Sequence, residues 1–417
     1  MVATSRKLGR TFWQFWTASA LANVGDGIRL AAFPLLAASI SADPFAVGVV
    51  VGAQALPWLV TGLLAGALAD TWPARALIAG ADTARVVVLL LLMAAVVSGW
   101  VTVAVVAISA FLLGVAETVR DTSAQTAVPR LVPRTLLERA NGRLAAGEIV
   151  GNEFVGPPVG SMLFVAGAAL PFAVNGVTLA LAVMLVLSLP LSVLGTAAAA
   201  GRPERGHEVG DGVRAGLAWL VRHRMLRVLV LISAAVAAAD SAWFAILVLY
   251  TRDVLGLGEV GYGVLLAVGA AGGLLGSFVA DRMVTGSGGR RRRHRSVLTL
   301  TIAVSTGVPA LLVISPQVWA AVVVVVVTSG AFAIFNVAAV SLRQRLAPME
   351  VLGRVTAASR TVVYGSTALG AAVGGGLASI AGIESPLLFS AAIAVGATLV
   401  WWIASRPQPG DALVDLA

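Results

Sequence analysis

Twelve apolar runs, each near the length an α-helix needs to cross a bilayer, constrain this chain more than any other feature. They fall at about 12–40, 45–69, 76–97, 101–123, 141–166, 171–195, 226–250, 261–283, 296–315, 318–340, 355–381 and 385–404. A spanning helix takes about 20 mostly apolar residues. Inside lipid every backbone N–H and C=O must be paired within the protein, so such runs become helices. The reading fits the 12% of charged residues, against about a quarter in a soluble domain. The chain is thus read as an all-α membrane protein with twelve transmembrane helices in two pseudo-symmetric six-helix bundles.

Arginine placement orients the spans. Counting from a cytoplasmic N-terminus, basic residues collect in inner loops or at inner helix ends, Arg6, Arg130, Arg202, Arg290 to Arg293 and Arg406 among them. Arg252 falls in an outer loop and Arg29 inside the first helix. The inner side attracts Lys and Arg, so both termini are placed in the cytoplasm and the membrane is read as a bacterial plasma (inner) membrane. The first run has no clear cleavage site and is expected to be retained. Polar residues around Gly201 to Gly206 divide the chain into a bundle at 1–195, a linker at 196–225 and a bundle at 226–417. Val213 to Arg224 is expected to form an amphipathic helix on the inner leaflet.

The two halves repeat one another. Arg130-Leu131-Val132-Pro133, followed by Leu137 and Arg139, returns as Arg345-Leu346-Ala347-Pro348, followed by Leu352 and Arg354, 215 residues later. Asp26 matches Asp240 at an offset of 214, as Gly156 and Gly160 match Gly370 and Gly374. Four features at nearly one offset indicate duplication.

The loop after the second run reads Gly66-Ala67-Leu68-Ala69-Asp70-Thr71-Trp72-Pro73-Ala74-Arg75. It resembles the signature that major facilitator transporters carry between helices 2 and 3, with Thr71, Pro73 and Ala76 departing from it. Gly156-Pro157-Pro158-Val159-Gly160 resembles the glycine-proline motif of the antiporter branch. Asn23 to Gly27, Glu117, Pro133 to Asn141 and Gly353-Arg354-Val355 are similar to the macrolide-efflux and enterobactin-exporter branch. The resemblance implies the major facilitator fold, export by alternating access, and a role for Asp70 in locking the outward-open state.

Candidate residues follow from cost. A charge at the bilayer centre costs roughly 2.5–3.5 kcal/mol on insertion scales, so it should be paired or line water. Asp26 and Asp240 sit near the middle of their spans, placed to bind substrate or carry protons. For Asp26 the alternative is a static pair with Arg29 at i+3. Glu153, before Gly156-Pro157, either titrates in the cycle or makes an interhelical hydrogen bond; for Glu148 a structural pair is favoured. Trp243, three residues after Asp240, either stacks on an aromatic or cationic substrate or simply packs. Glu117, Arg120 and Asp121 are expected to gate the inner face with Asp70, Arg75 and Arg85. Gly156, Pro157, Gly160, Gly370 and Gly374 are read as a close helix-packing motif. Trp13, Trp16, Trp100, Trp319, Trp401 and Trp402 are read as interfacial anchors.

Other chemistries lack their residues. There are no cysteines and three histidines, all in loop segments, so no metal site is expected. No phosphate loop or serine elbow appears, so neither an enzyme nor a cofactor is expected. The net charge of +9 lies in short inter-helix loops, which argues against nucleic acid. The expectation is a monomeric secondary transporter in membrane lipid, exchanging protons for a hydrophobic or amphipathic drug or metabolite. An uptake symporter, a lysophospholipid transporter and a non-transporting receptor or scaffold are the alternatives.

Overall fold

The computed structural model describes residues 8–190, 219–285, 290–347 and 349–406. Twelve membrane-length helices are present: α1 (Arg10–Ile40), α2 (Pro44–Thr71), α3 (Ala74–Val97), α4 (Val103–Leu131), α5 (Leu137–Ala166), α6 (Leu170–Leu187), α7 (Arg224–Val254), α8 (Glu259–Thr285), α9 (Arg295–Ile314), α10 (Val318–Leu346), α11 (Met349–Ala381) and α12 (Ser385–Ala404). No strand occurs among the described residues. The helix expected over 213–224 lies largely outside them, as do the side chains of Arg290 to Arg293.

The end of the molecule where α1 starts is called the near end here, and the end where α1 turns into α2 the far end. Far-end turns are tight and locally coded. Asp43 caps α2 by accepting the Phe45 N–H at 2.9 Å, with Pro44 at the first helical position, where its missing N–H costs nothing. Gly99, Gly256 and Gly382 have φ of 73°, 65° and 92° and join α3 to α4, α7 to α8 and α11 to α12. A side chain would be strained at each.

Duplication is visible in packing. In the first half α1 packs on α5 and α6, α2 on α4, and α3 on α4 and α6. In the second half α7 packs on α11 and α12, α8 on α10, and α9 on α10 and α12. The repeated glycines make equivalent contacts. Gly160 lies on the backbone of Ile28, and Gly374 on that of Ala242; both pairs are offset by 214 residues. A Cβ on Gly160 would sit 2.9 Å from the Ile28 Cα, and one on Gly374 2.6 Å from the Ala242 Cα. These glycines bring α5 and α11 against the helices that carry Asp26 and Asp240.

The halves meet along two seams, α2 with α11 and α5 with α8. Both seams are closed at the far end and open at the near end. At the far end a Cβ on Gly48 would lie 2.9 Å from the Gly375 Cα, and one on Gly52 2.8 Å from the Ala368 carbonyl. Trp58 then stacks on Tyr364 with ring centroids 5.4 Å apart, and Leu59 reaches Gly365. Nearer the start of the chain contact ends: side chains added at Gly62 or Gly66 would meet nothing within 4 Å. On the second seam Gly263 touches Ser161 and Pro157, and Arg252 donates to the Ala38 carbonyl across the far end at 3.1 Å.

Far-end closure thus rests on glycine backbones in contact. Gly48→Leu combined with Gly375→Leu is expected to wedge that end apart and draw the near ends together. Because the chain has no cysteine, spin labels at Leu64→Cys and Arg360→Cys can read the near-end separation directly. The wedge should shorten it by several ångströms; an unchanged distance distribution would contradict this account.

Candidate functional site

Seven ionisable side chains from α1, α3 and α4 form one continuous chain inside the first half. Glu117 accepts a short hydrogen bond from Arg29, whose Nη2 lies 3.4 Å from Asp26. Asp26 in turn accepts a short bond from Arg85. Arg85 bonds Asp82 at 3.1 Å, and the Arg120 Nε lies 3.4 Å from the second Asp82 oxygen. Arg120 ends the chain on Asp121 at 2.9 Å. Asp82 and Arg85 have no exposed surface, and Asp26, Arg29 and Arg120 are 4–5% exposed. Alternation of sign makes such burial tolerable, since each charge has a partner of opposite sign. Four carboxylates against three guanidiniums leave the chain one negative charge in excess if all are ionised.

The second half lacks this chain. α7 repeats α1 at an offset of 214, which puts Asp240 at the place of Asp26 and Trp243 at that of Arg29. α10 repeats α4 at an offset of 215, which replaces Glu117, Arg120 and Asp121 by Phe332, Phe335 and Asn336. Of the acids on α1 and α4, only the counterpart of Asp26 remains. Asp240 makes no ion pair among the described residues, and instead faces a cavity.

That cavity, of about 490 Å³, lies between the halves. Leu30 of α1 and Glu153 and Pro157 of α5 form one wall. Asp240, Trp243 and Phe244 of α7, small residues of α8, and Phe332 and Asn336 of α10 form the rest. No basic residue lines it. Glu153 is exposed to the cleft, whereas Trp243 is 2% exposed and its indole N–H has no hydrogen-bond partner. Trp243 therefore packs at the cavity wall rather than facing lipid.

α5 changes form where it crosses this region. Ile149–Val155 is π-helical, and the Gly156 N–H bonds back five residues to the Gly151 carbonyl. Pro157 and Pro158 explain the change, because neither supplies the N–H that an α-helix would send to the carbonyls of Glu153 and Phe154. Gly27 of α1 packs against the widened turn, where a Cβ would lie 2.5 Å from the Gly151 carbonyl. A second cavity, of about 410 Å³, lies between α1, α4 and α5 and shares no lining residue with the first. It is lined by Ser19, Asn23, Arg120, Asp121, Gln125, Asn141 and Glu148, among others.

The structure groups the sequence candidates differently from the expectation. Asp26 and Arg29 do pair, yet Asp26 lines neither cavity, so the two matched aspartates have unlike surroundings. Glu117 and Arg120 join Arg29, Arg85 and Asp82 within the spans, not Arg75 at the near end. Arg75 donates a short hydrogen bond to the Leu187 carbonyl. Glu148 makes no ion pair among the described residues, where a pair was expected. The Asp70 side chain lies outside the described residues. Trp401 is 1% exposed and donates to the Arg295 carbonyl at 3.2 Å, so it is a packing residue, not an interfacial anchor. Sequence reasoning missed Asp82 and the π turn. The i, i+3 spacing of Asp82 and Arg85 in an apolar run was the available signal for the former.

Solved structures share this architecture. A structure of the nucleoside transporter NupG superposes with a TM-score of 0.76 at 14% identity, covering 96% of this chain and 100% of that one. A bacterial homologue of the iron transporter ferroportin, in an inward-facing state, gives 0.68 at 18% identity over 96% and 100%. A bacterial homologue of the human lysosomal transporter Spinster, inward-facing and unoccupied, gives 0.71 at 14% over 96% and 98%. At these identities the likeness is one of fold. No curated protein matches at a significant level. Residues 7–413 match the family described as transmembrane secretion effector (MFS_3), and the chain belongs to that family. With its family membership, the twelve-helix bundle defines a membrane transporter of the major facilitator type.

The buried chain predicts an asymmetric mutational response. Arg85→Ala breaks the link between Asp26 and Asp82, leaves each with a single arginine at 3.4 Å and raises the excess of negative charge, and should cost about 3–5 kcal/mol, as removal of one partner from a buried pair does. Thermal unfolding of the purified variant in detergent measures it. Val395→Ala, 62% exposed on α12 of the other half, should lie within about 0.5 kcal/mol of wild type. Equal stabilities would mean that the chain is not structural.

Proposed function

We propose that the protein exports a hydrophobic or amphipathic, positively charged drug or metabolite across the bacterial plasma membrane, by proton antiport and alternating access. The near end is cytoplasmic in this reading, following the arginine distribution, so the structure is the inward-open form. One observation carries the proposal. Asp240 and Glu153 line one cavity, neither has a cationic partner among the described residues, and aromatic rings complete the wall. A carboxylate in that position holds either a proton or a cation, and this exclusivity couples the two flows. Trp243, Phe244 and Phe332 supply π faces and apolar area for the body of such a substrate. The resemblance to the macrolide-efflux and enterobactin-exporter branch and the glycine-proline motif in α5 support export over uptake.

Exchange of one proton for one monovalent cation moves no net charge, so the pH difference drives it, at about 1.36 kcal/mol per proton for each pH unit. A single protomer holds the entire cavity, consistent with a monomer.

Tetraphenylphosphonium and tetraphenylborate, alike in shape and opposite in charge, test the reading. Purified protein should bind the phosphonium at least tenfold more tightly than the borate. Asp240→Asn and Glu153→Gln should each erase that preference while the protein stays folded. In inside-out vesicles with an acidified lumen, adding the phosphonium should release luminal protons, with no such release from Asp240→Asn. Phosphonium transport without any proton movement would remove antiport. Proton entry in the same direction as substrate would indicate symport.

A further inference from the structure

Two cavities border α5 and share no lining residue, and each presents one glutamate of that helix. Glu148 faces the polar cavity between α1, α4 and α5, and Glu153 faces the central cavity. The turn between them is the π segment Ile149–Val155. That form matters for their relation. An α-helix of about 3.6 residues per turn places residues five apart on opposed faces. A π turn closes on residue i+5 and brings the same two toward one another. The polar cavity has room for on the order of ten waters, at about 30 Å³ each. Its lining offers them partners, in Asn23, Asp121, Gln125 and Asn141.

We propose that the polar cavity is a proton exit well separate from the substrate cavity, and that Glu148 takes protons from Glu153 across the π turn. The inference rests on the antiport reading above and adds a route to it. In the inward-open form Glu153 arrives protonated. The proton passes from its carboxyl group to the Glu148 carboxylate, then to water in the polar cavity and out at the near end. Glu153 is left anionic and faces the incoming cation. No other group changes its bonding, and one proton leaves as one positive charge arrives. Separate routes remove a conflict, because a substrate seated over Glu153 blocks that residue's own path to water.

The surroundings of Glu148 suit a transit site. Arg120, Asp121 and Glu117 of α4 and Glu153 of α5 act on its charge, and Tyr364 of α11 lies within electrostatic range. Arg120 is held by Asp82 and Asp121, so it does not trap Glu148 in a fixed pair. Asp26, by contrast, is engaged by two arginines and lines neither cavity, so it has no place on the route.

Stopped-flow mixing of purified protein with tetraphenylphosphonium, followed by a soluble pH indicator, separates acceptor from relay. Wild type should release protons on binding. Glu148→Gln should keep the phosphonium affinity within about twofold and the release amplitude unchanged, but slow the release at least tenfold. Glu148→Asp should recover part of the rate. Glu153→Gln should abolish the amplitude. A wild-type release rate in Glu148→Gln would overturn the relay while leaving antiport intact. Loss of affinity in Glu148→Gln equal to that in Glu153→Gln would also overturn it, by making one site of both. No release from wild type would remove the antiport reading itself, and the relay with it.

Discussion

A charge inside a bilayer must be either paired or wet, and this molecule uses each solution in one of its halves. The first half pairs. Glu117, Arg29, Asp26, Arg85, Asp82, Arg120 and Asp121 alternate in sign through three helices and hold them in register. The second half removes nearly all charge from the equivalent positions and leaves Asp240 facing a cleft. A duplicated fold has thus diverged in its electrostatics while its packing stayed the same. Gly160 on Ile28 and Gly374 on Ala242 remain equivalent contacts.

That division has a mechanical consequence. Buried ion pairs resist change, because separating them in low dielectric costs several kcal/mol. A half built around seven linked charges moves as a unit. The second half is held by apolar clusters around Leu229, Val236, Phe335 and Trp401, with α8 and α10 in contact through Gly272, Gly276 and Gly330. Contacts of that kind are close but carry no charge, so sliding leaves no ion unpaired. The two seams between halves are also glycine-rich at the far end and free of ion pairs among the described residues. The joints that must open are therefore those whose opening strands the fewest polar groups.

The fold was legible in the sequence because lipid makes few demands and makes them strictly. Runs of the right length must be helices, and the 214-residue offset of Asp26 and Asp240 revealed the repeat. The site was legible only in part. Asp240, Glu153 and Trp243 stood out by type and depth, and the structure sets them on one cavity. Their partners did not stand out, because a helix that is apolar all round hides which face meets which neighbour. Asp82 and Arg85 were visible as an i, i+3 pair, yet nothing in α3 alone indicates that they bridge Asp26 of α1 to Arg120 of α4. The π turn was hidden for another reason. Pro157 and Pro158 announce missing donors, but whether a helix answers by kinking or by widening depends on what packs against it, here Gly27.

The position of the π turn ties these threads together. α5 touches α1 through Gly151, Gly156 and Gly160, touches α8 through Pro157 and Ser161, and borders both cavities. Movement along the seam between α5 and α8 passes through it. A straight α-helix there would turn Glu153 toward the face opposed to Glu148. It would also oblige the Gly151 and Asn152 carbonyls to withdraw from Gly27. The proline pair forbids that straightening by withholding the donors an unbroken ladder needs. A motif read from sequence as a packing device therefore has a second effect in three dimensions. It turns Glu148 and Glu153 toward one another where two cavities meet α5, beside a network on α1, α3 and α4 whose charges are locked in pairs.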